Sequence, residues 1–189
     1  MLSRIIDETT NAVVSAVQGV NNILEALTDT VKNQVVHVLS GTGEIAGSSV
    51  EVIASVASGA IKGAGGVGAS LTDTIFGTMS GVVNGVGQVG GDVISAVHGA
   101  TKGIITATAE TGGDIGSAAV SAVEGAIKSA GDVGADTAEA AKSAVGGALA
   151  AATSVGGDGV QTVRNALLSA AALPRDIIES ALKGTDKEA

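Results

Sequence analysis

The feature that most constrains this chain is an eleven-residue period that runs without a slip from Ile5 to Lys183. Taken in steps of eleven, the track from Asp7 reads Gln18, Asp29, Ser40, Glu51, Lys62, Asp73, Asn84, Ser95, and is polar almost throughout. The preceding track, from Ile6, reads Val17, Thr28, Leu39, Val50, Ile61, Thr72, Val83, Ile94, Ile105, and is largely apolar. The chain carries 10 Lys and Arg, 19 Asp and Glu, and two His. Five of the eleven tracks, those of Ile5, Ile6, Thr9, Ala12 and Val13, hold none of these before Glu188.

Eleven residues make three helical turns at about 3.67 residues per turn, so each residue advances about 98°. The five uncharged tracks then lie side by side in an arc of roughly 130°. A strand accounts for this badly, because an odd repeat would flip a period-2 strand to its other face each time. Longer repeats are built on the same lattice. "GAIKGAGGVGAS" from Gly59 recurs as "GAIKSAGDVGAD" from Gly125. Asp92, Asp114, Asp136 and Asp158 recur at every second step of eleven.

A turn between helices usually shifts the phase of an apolar stripe, and none is shifted here. Proline is absent before Pro174. The expected fold is therefore all-α: one very long, nearly continuous amphipathic helix, or segments bent without loss of register, packed laterally in an assembly. Residues 1–40 form an N-terminal segment richer in Leu and Ile. Residues 41–160 form a Gly/Ala/Val region of repeats two elevens long. Residues 161–189 form a C-terminal segment with a kink or a helix restart at Pro174 and a polar tail.

The predicted lipid- or core-facing residues are Ile5, Ile6, Val17, Leu27, Val38, Leu39, Val50, Ile61, Leu71, Val82, Val83, Val93, Ile94, Ile104, Ile105, Ile115, Ile127 and Leu149. A lone helix of this kind is poor, since each of its 29 glycines costs about 1 kcal/mol relative to alanine in a helix interior. Some surface must cover the apolar face. Either the glycines merely weaken the helix and keep its binding reversible, or they mark a seam where helix backbones approach closely: Gly19, Gly41, Gly63 and Gly85 on one track, and Gly59, Gly81, Gly103, Gly125 and Gly147 on another.

Stretches such as "HGATKG" from His98 and "VEGAIKSAG" from Val123 carry a resemblance. The pattern resembles the eleven-residue repeats of synucleins and perilipins. That resemblance implies a long helix lying on a membrane or lipid droplet. The expected function is a structural, self-assembling helical protein that coats or encloses a lipid or other hydrophobic surface. Its partners would be copies of itself, as a homopolymer, and lipid. A protein-only filament or bundle is the alternative. An ice-binding or desiccation-protective helix is a third, although threonine here is scattered and charge is only 15%.

Other classes fit less well. "GAGGVG" (Gly63–Gly68) and "GVGQVG" (Gly85–Gly90) match the dinucleotide fingerprint in form. That fingerprint follows a strand and opens one helix, whereas these glycines recur along the lattice. A net charge of −9 opposes nucleic-acid binding, which needs a basic face. His37 and His98 stand far apart in the chain and suggest no catalysis or metal binding. No enzyme activity and no cofactor are expected. The aspartates of the ladder read as a solvated face, about 33 Å apart on a continuous helix. Neighbouring chains would place acids beside Lys62, Lys102 or Lys128. The start lacks the long apolar core of a secretory signal. Synthesis in the cytoplasm is expected, with surface or extracellular assembly left open. The charge-free run Thr74–Gly91 is too polar and glycine-rich for a membrane span.

Overall fold

The computed structural model describes residues 2–17, 23–42, 49–66 and 68–185. Among these residues the chain is α-helical, in the order α1 (Leu2–Val17), α2 (Ile23–Thr42), α3 (Ser49–Gly66), α4 (Leu71–Gln88), α5 (Val93–Glu110), α6 (Ile115–Asp132), α7 (Thr137–Val155), α8 (Gly159–Ser169) and α9 (Arg175–Thr185). This corrects the expectation of one nearly continuous helix. The chain is a stack of packed antiparallel helices, a helical repeat.

The lattice misled because the turns obey it too. Helices α4, α5 and α6 have 18 residues each. Each is followed by a turn of four, so a module spans two elevens. A reversal at the same place in every module leaves the phase of the apolar stripe untouched. Continuity of phase therefore does not imply continuity of helix.

Each turn is built by two residues at fixed positions. Gly68, Gly90, Gly112 and Gly134 have φ of +72°, +71°, +74° and +74°. Only glycine adopts this left-handed conformation readily, and it is the usual way to end a helix. The next residue's N–H then reaches back five positions: Gly91 to Val86 O at 2.9 Å, Gly113 to Thr108 O at 2.8 Å, and Ala135 to Ala130 O at 2.8 Å. These bonds satisfy carbonyls that the helix end leaves open. The following residue starts the next helix. Asp92 accepts from the N–H of Ile94 and Ser95, Asp114 from those of Gly116 and Ser117, and Asp136 from those of Ala138 and Glu139. Asp92, Asp114 and Asp136 of the ladder are thus N-caps in turns, not points along a continuous helix face.

The helices form two layers. Odd-numbered helices pack on odd ones (α1 on α3, then α5, α7 and α9), and even-numbered helices on even ones (α2 on α4, then α6 and α8). Consecutive helices cross from one layer to the other, and the core lies between them. Leu27, Val31, Ile53, Ile75, Met79, Val97, Ile104 and Val123 are completely buried there. Pro174 stands immediately before α9, and its carbonyl accepts from the N–H of Ile177 and Ile178. Restarting a helix after a proline is consistent with its lack of an N–H.

Two of the caps are reinforced. The Ser95 hydroxyl donates to Asp92 Oδ2 at 2.6 Å, and the Ser117 hydroxyl to Asp114 Oδ2 at 2.7 Å. These hydroxyls, with the capped backbone N–H groups, hold both carboxyls below the usual value of 3.8. A carboxylate whose folded-state pKa is depressed stabilises the fold above its unfolded value. That contribution is lost as pH falls through the folded value. In urea denaturation at pH 7, Asp114→Ala should cost about 1 kcal/mol and Asp114→Asn only a few tenths. The wild type's advantage over Asp114→Ala should shrink as pH falls below about 4, while that of Asp114→Asn persists. An advantage of the wild type that does not change with pH would show that the carboxylate does not act as the cap.

Candidate functional site

The residues predicted to face lipid or a core are carried by every module, and in the structure neighbouring helices of the same chain lie against them. Leu27, Val82, Val83, Ile104 and Ile105 are completely buried, and Ile5, Leu39, Ile61 and Leu149 nearly so. Ile6, Val38, Val50, Leu71, Val93, Ile94, Ile115 and Ile127 are half-buried. The side chain of Val17 lies outside the described residues. Among the described residues no continuous apolar stripe remains on the outside. The large apolar side chains exposed there are Leu24, Val133, Val155 and Leu168, and Val133 and Val155 stand in or beside turns. No described helix is long and apolar enough to cross a membrane.

The glycine seam lies at contacts within a layer. A Cβ on Gly81 would stand 2.7 Å from Thr28 O and from Val31 Cβ; one on Gly85 would stand 2.9 Å from Val35 Cβ. Gly59 faces Ile6 O and Thr9, and Gly63 faces Thr10 O and Val13. Gly103 sits against the carbonyl of Ala54, and Gly147 against that of His98. Gly125 is looser, where a Cβ would stand 3.4 Å from Met79 Cβ. Helix backbones touch at the tighter points with no side chain between them. Hydroxyls cross the same contacts: Thr10 Oγ1 donates to Gly59 O at 3.1 Å, and Ser143 Oγ to Ile94 O at 2.7 Å. Among the described residues Gly41 has nothing within 4 Å and meets no seam contact; it lies exposed near the end of α2. Gly19 lies outside the described residues.

Charged groups lie on the outer faces. Lys62 on α3 pairs with Glu110 on α5 at 2.7 Å, joining neighbouring helices of one layer. Lys128 pairs with Asp132 in its own helix at 3.1 Å. Lys62 and Lys128 thus each have an acid of the same chain beside them. A cleft of about 290 Å³ runs over α3 and α5, floored by Ala54, Ser58 and Gly103 and edged by Lys62, Lys102 and Glu110. A second, of about 570 Å³, lies between α1 and α2 and is lined by Glu8, Asn33, Gln34 and His37 among others. His98 is far from it in the chain, on α5, with its ring beside Gly146.

The turn glycines are the signal that sequence reasoning missed. Gly90-Gly91-Asp92, Gly112-Gly113-Asp114 and Gly134-Ala135-Asp136 each combine a helix stop with a helix start two residues later. Among the described residues, the hydroxyls of Thr9, Thr78, Thr101 and Thr108 are buried without a hydrogen-bond partner. They are a cost, since a buried unsatisfied hydroxyl loses its hydration with nothing in return.

Three substitutions measure these contacts by denaturant unfolding. Gly81→Ala should destabilise by about 1–3 kcal/mol through overpacking. Gly41→Ala should be neutral or stabilise by up to about 1 kcal/mol, because its site is open and alanine is the better helix former. Thr78→Val should stabilise by about 1 kcal/mol by removing an unpaired hydroxyl. Equal effects of the two glycine changes would show that the seam is not a steric contact.

No family model matches the chain, and no curated protein does. Among solved structures it is similar to the crystal structure of a de novo designed helical repeat protein, DHR7. The identity is 17% and the TM-score 0.52, covering 100% of this chain and 96% of that one. The likeness is one of fold: a helical repeat.

Proposed function

We propose that this protein is a structural, non-catalytic helical-repeat scaffold that acts as a preformed protein body rather than as a coat on lipid. The observation that supports this most directly is the placement of the seam glycines. From Gly59 to Gly147 they lie against other helices of the same chain, so the surface needed to cover each apolar stripe is supplied by the next module. Repeat arrays of this kind obtain their stability from contacts between neighbouring modules. The capping role of the aspartates supports the non-catalytic part, because the carboxylates of Asp92, Asp114 and Asp136 are engaged with helix N–H groups.

Coating lipid would require these helices to part and turn their stripes outward. Circular dichroism and flotation separate the two readings. The purified chain should be strongly helical in lipid-free buffer and unfold cooperatively. It should gain no helicity from neutral-lipid droplets or zwitterionic vesicles, and should not float with them. A chain that is coil in buffer and helical only on lipid would overturn the scaffold reading in favour of a surface coat. Sedimentation of the lipid-free material adds the oligomeric state: a discrete particle fits a scaffold, and an open polymer fits a filament.

A further inference from the structure

The turns after α4, α5 and α6 share one chemistry, and the joint between α7 and α8 departs from it. After α4, α5 and α6 a single left-handed glycine is followed by a backbone bond closing the turn and an aspartate that caps the next helix. Between α7 and α8 the sequence Gly156-Gly157-Asp158 keeps the letters but not the bonds. Both glycines have positive φ, +80° and +60°. The N–H of Gly157 does not reach back to the helix as those of Gly91, Gly113 and Ala135 do. Asp158, at φ −86° and ψ 12°, makes no side-chain capping bond. The joint is also one residue shorter than the turns before it.

The helices beyond that joint differ as well. Helices α8 and α9 have 11 residues each, against 18 or 19 for α3 to α7. They form a short hairpin. Helix α8 packs on α6 and α7, and among the described residues α9 touches α7 and α8 alone. The hairpin buries one apolar patch, Val163, Leu167, Leu173, Ile178 and Leu182, in the common core. A Cβ on Gly159 would stand 3.0 Å from Ala152 O, and Gly116 of α6 faces Ala166 and Thr162 of α8.

We propose that the α8–α9 hairpin is a hinged latch, which lifts as one unit about Gly156–Gly157 while α3 to α7 stay folded. The two consecutive left-handed glycines leave the hinge few conformational restraints. The joint keeps a Gly159 N–H to Gly156 O bond at 3.3 Å, but it lacks the aspartate cap and the Gly157 reach-back bond whose counterparts fix the joints after α4, α5 and α6. The small buried patch makes the hairpin the least-held pair among α3 to α9, and such units open below the global unfolding free energy. Lifting it uncovers the ends of α6 and α7 at Ile115, Gly116 and Ala152, a face of the kind that a further pair of modules would cover. Motion of this sort is a property of the fold and stands whether or not the scaffold reading holds.

Hydrogen exchange of the full chain, followed by mass spectrometry, tests it. Amides of α8 and α9 should exchange together, at least about 10-fold faster than those in the middle of α5 and α6. Equal protection in the hairpin and in α6 would overturn the latch, because the hairpin would then open only with the whole array. Exchange of α9 well ahead of α8 would also overturn it, as simple fraying. A second experiment locks the hinge. A Cβ on Gly116 would stand 3.1 Å from Ala166 Cβ, near the usual disulfide spacing of about 3.5–4.5 Å, and the chain has no cysteine of its own. In the double variant Gly116→Cys/Ala166→Cys, oxidation should slow hairpin exchange about 10-fold or more, and reduction should restore it. Unchanged exchange in the oxidised form would overturn the proposal. If the variant does not fold or oxidise, the exchange of the wild-type chain decides alone.

Discussion

Everything in this fold depends on how closely helices of one layer approach each other. At Gly81, Gly85, Gly103 and Gly147 the facing helix presents its own backbone or Cβ atoms where a side chain would otherwise stand. Contacts this close let small residues bury surface that would otherwise need Leu or Phe. They account for a core rich in alanine and valine in a chain whose one aromatic residue is Phe76. Dispersion between well-packed atoms replaces the large buried areas that aromatics supply elsewhere. The glycines weaken each helix taken alone, so helix and contact stand or fall together.

The turns make this packing repeatable. A left-handed glycine ends one helix, and an aspartate two residues later starts the next, at the same point of each central module. The resulting geometry is the same each time, so the same glycine tracks meet the neighbouring helix again and again. The array loses this regularity at its C-terminal end, where the caps lapse and the helices shorten. The N-terminal end has a different character. There α1 and α2 show polar residues such as Glu8, Asn33 and His37 around a cleft.

Much of this was legible in the sequence. The helical period, the width of the apolar arc and the residues on it follow from the eleven-residue lattice. Val31, Ile53, Ile75, Met79 and Val97, all fully buried, lie on its uncharged tracks. The glycine tracks were legible too, but the sequence left open whether they serve close approach or only weaken the helix. Gly41 shows why: it shares a track with Gly63 and Gly85 but meets nothing among the described residues, since a track says which side of a helix a residue occupies and not whether a neighbour is present there.

Sequence alone determined a helical pattern with one uncharged side, because periodicity is a local property and every module carries it. Only the tertiary structure decided that the chain reverses once in every two elevens, and so what covers that side. The reason is geometric. A reversal that recurs at a multiple of the helical repeat is invisible in the phase of the pattern. Whether an aspartate caps a helix depends on the whole turn built before it, which composition does not reveal. With the reversals in place, the apolar stripes meet stripes of the same chain. The need for an outside surface, which a single straight helix would have had, then disappears.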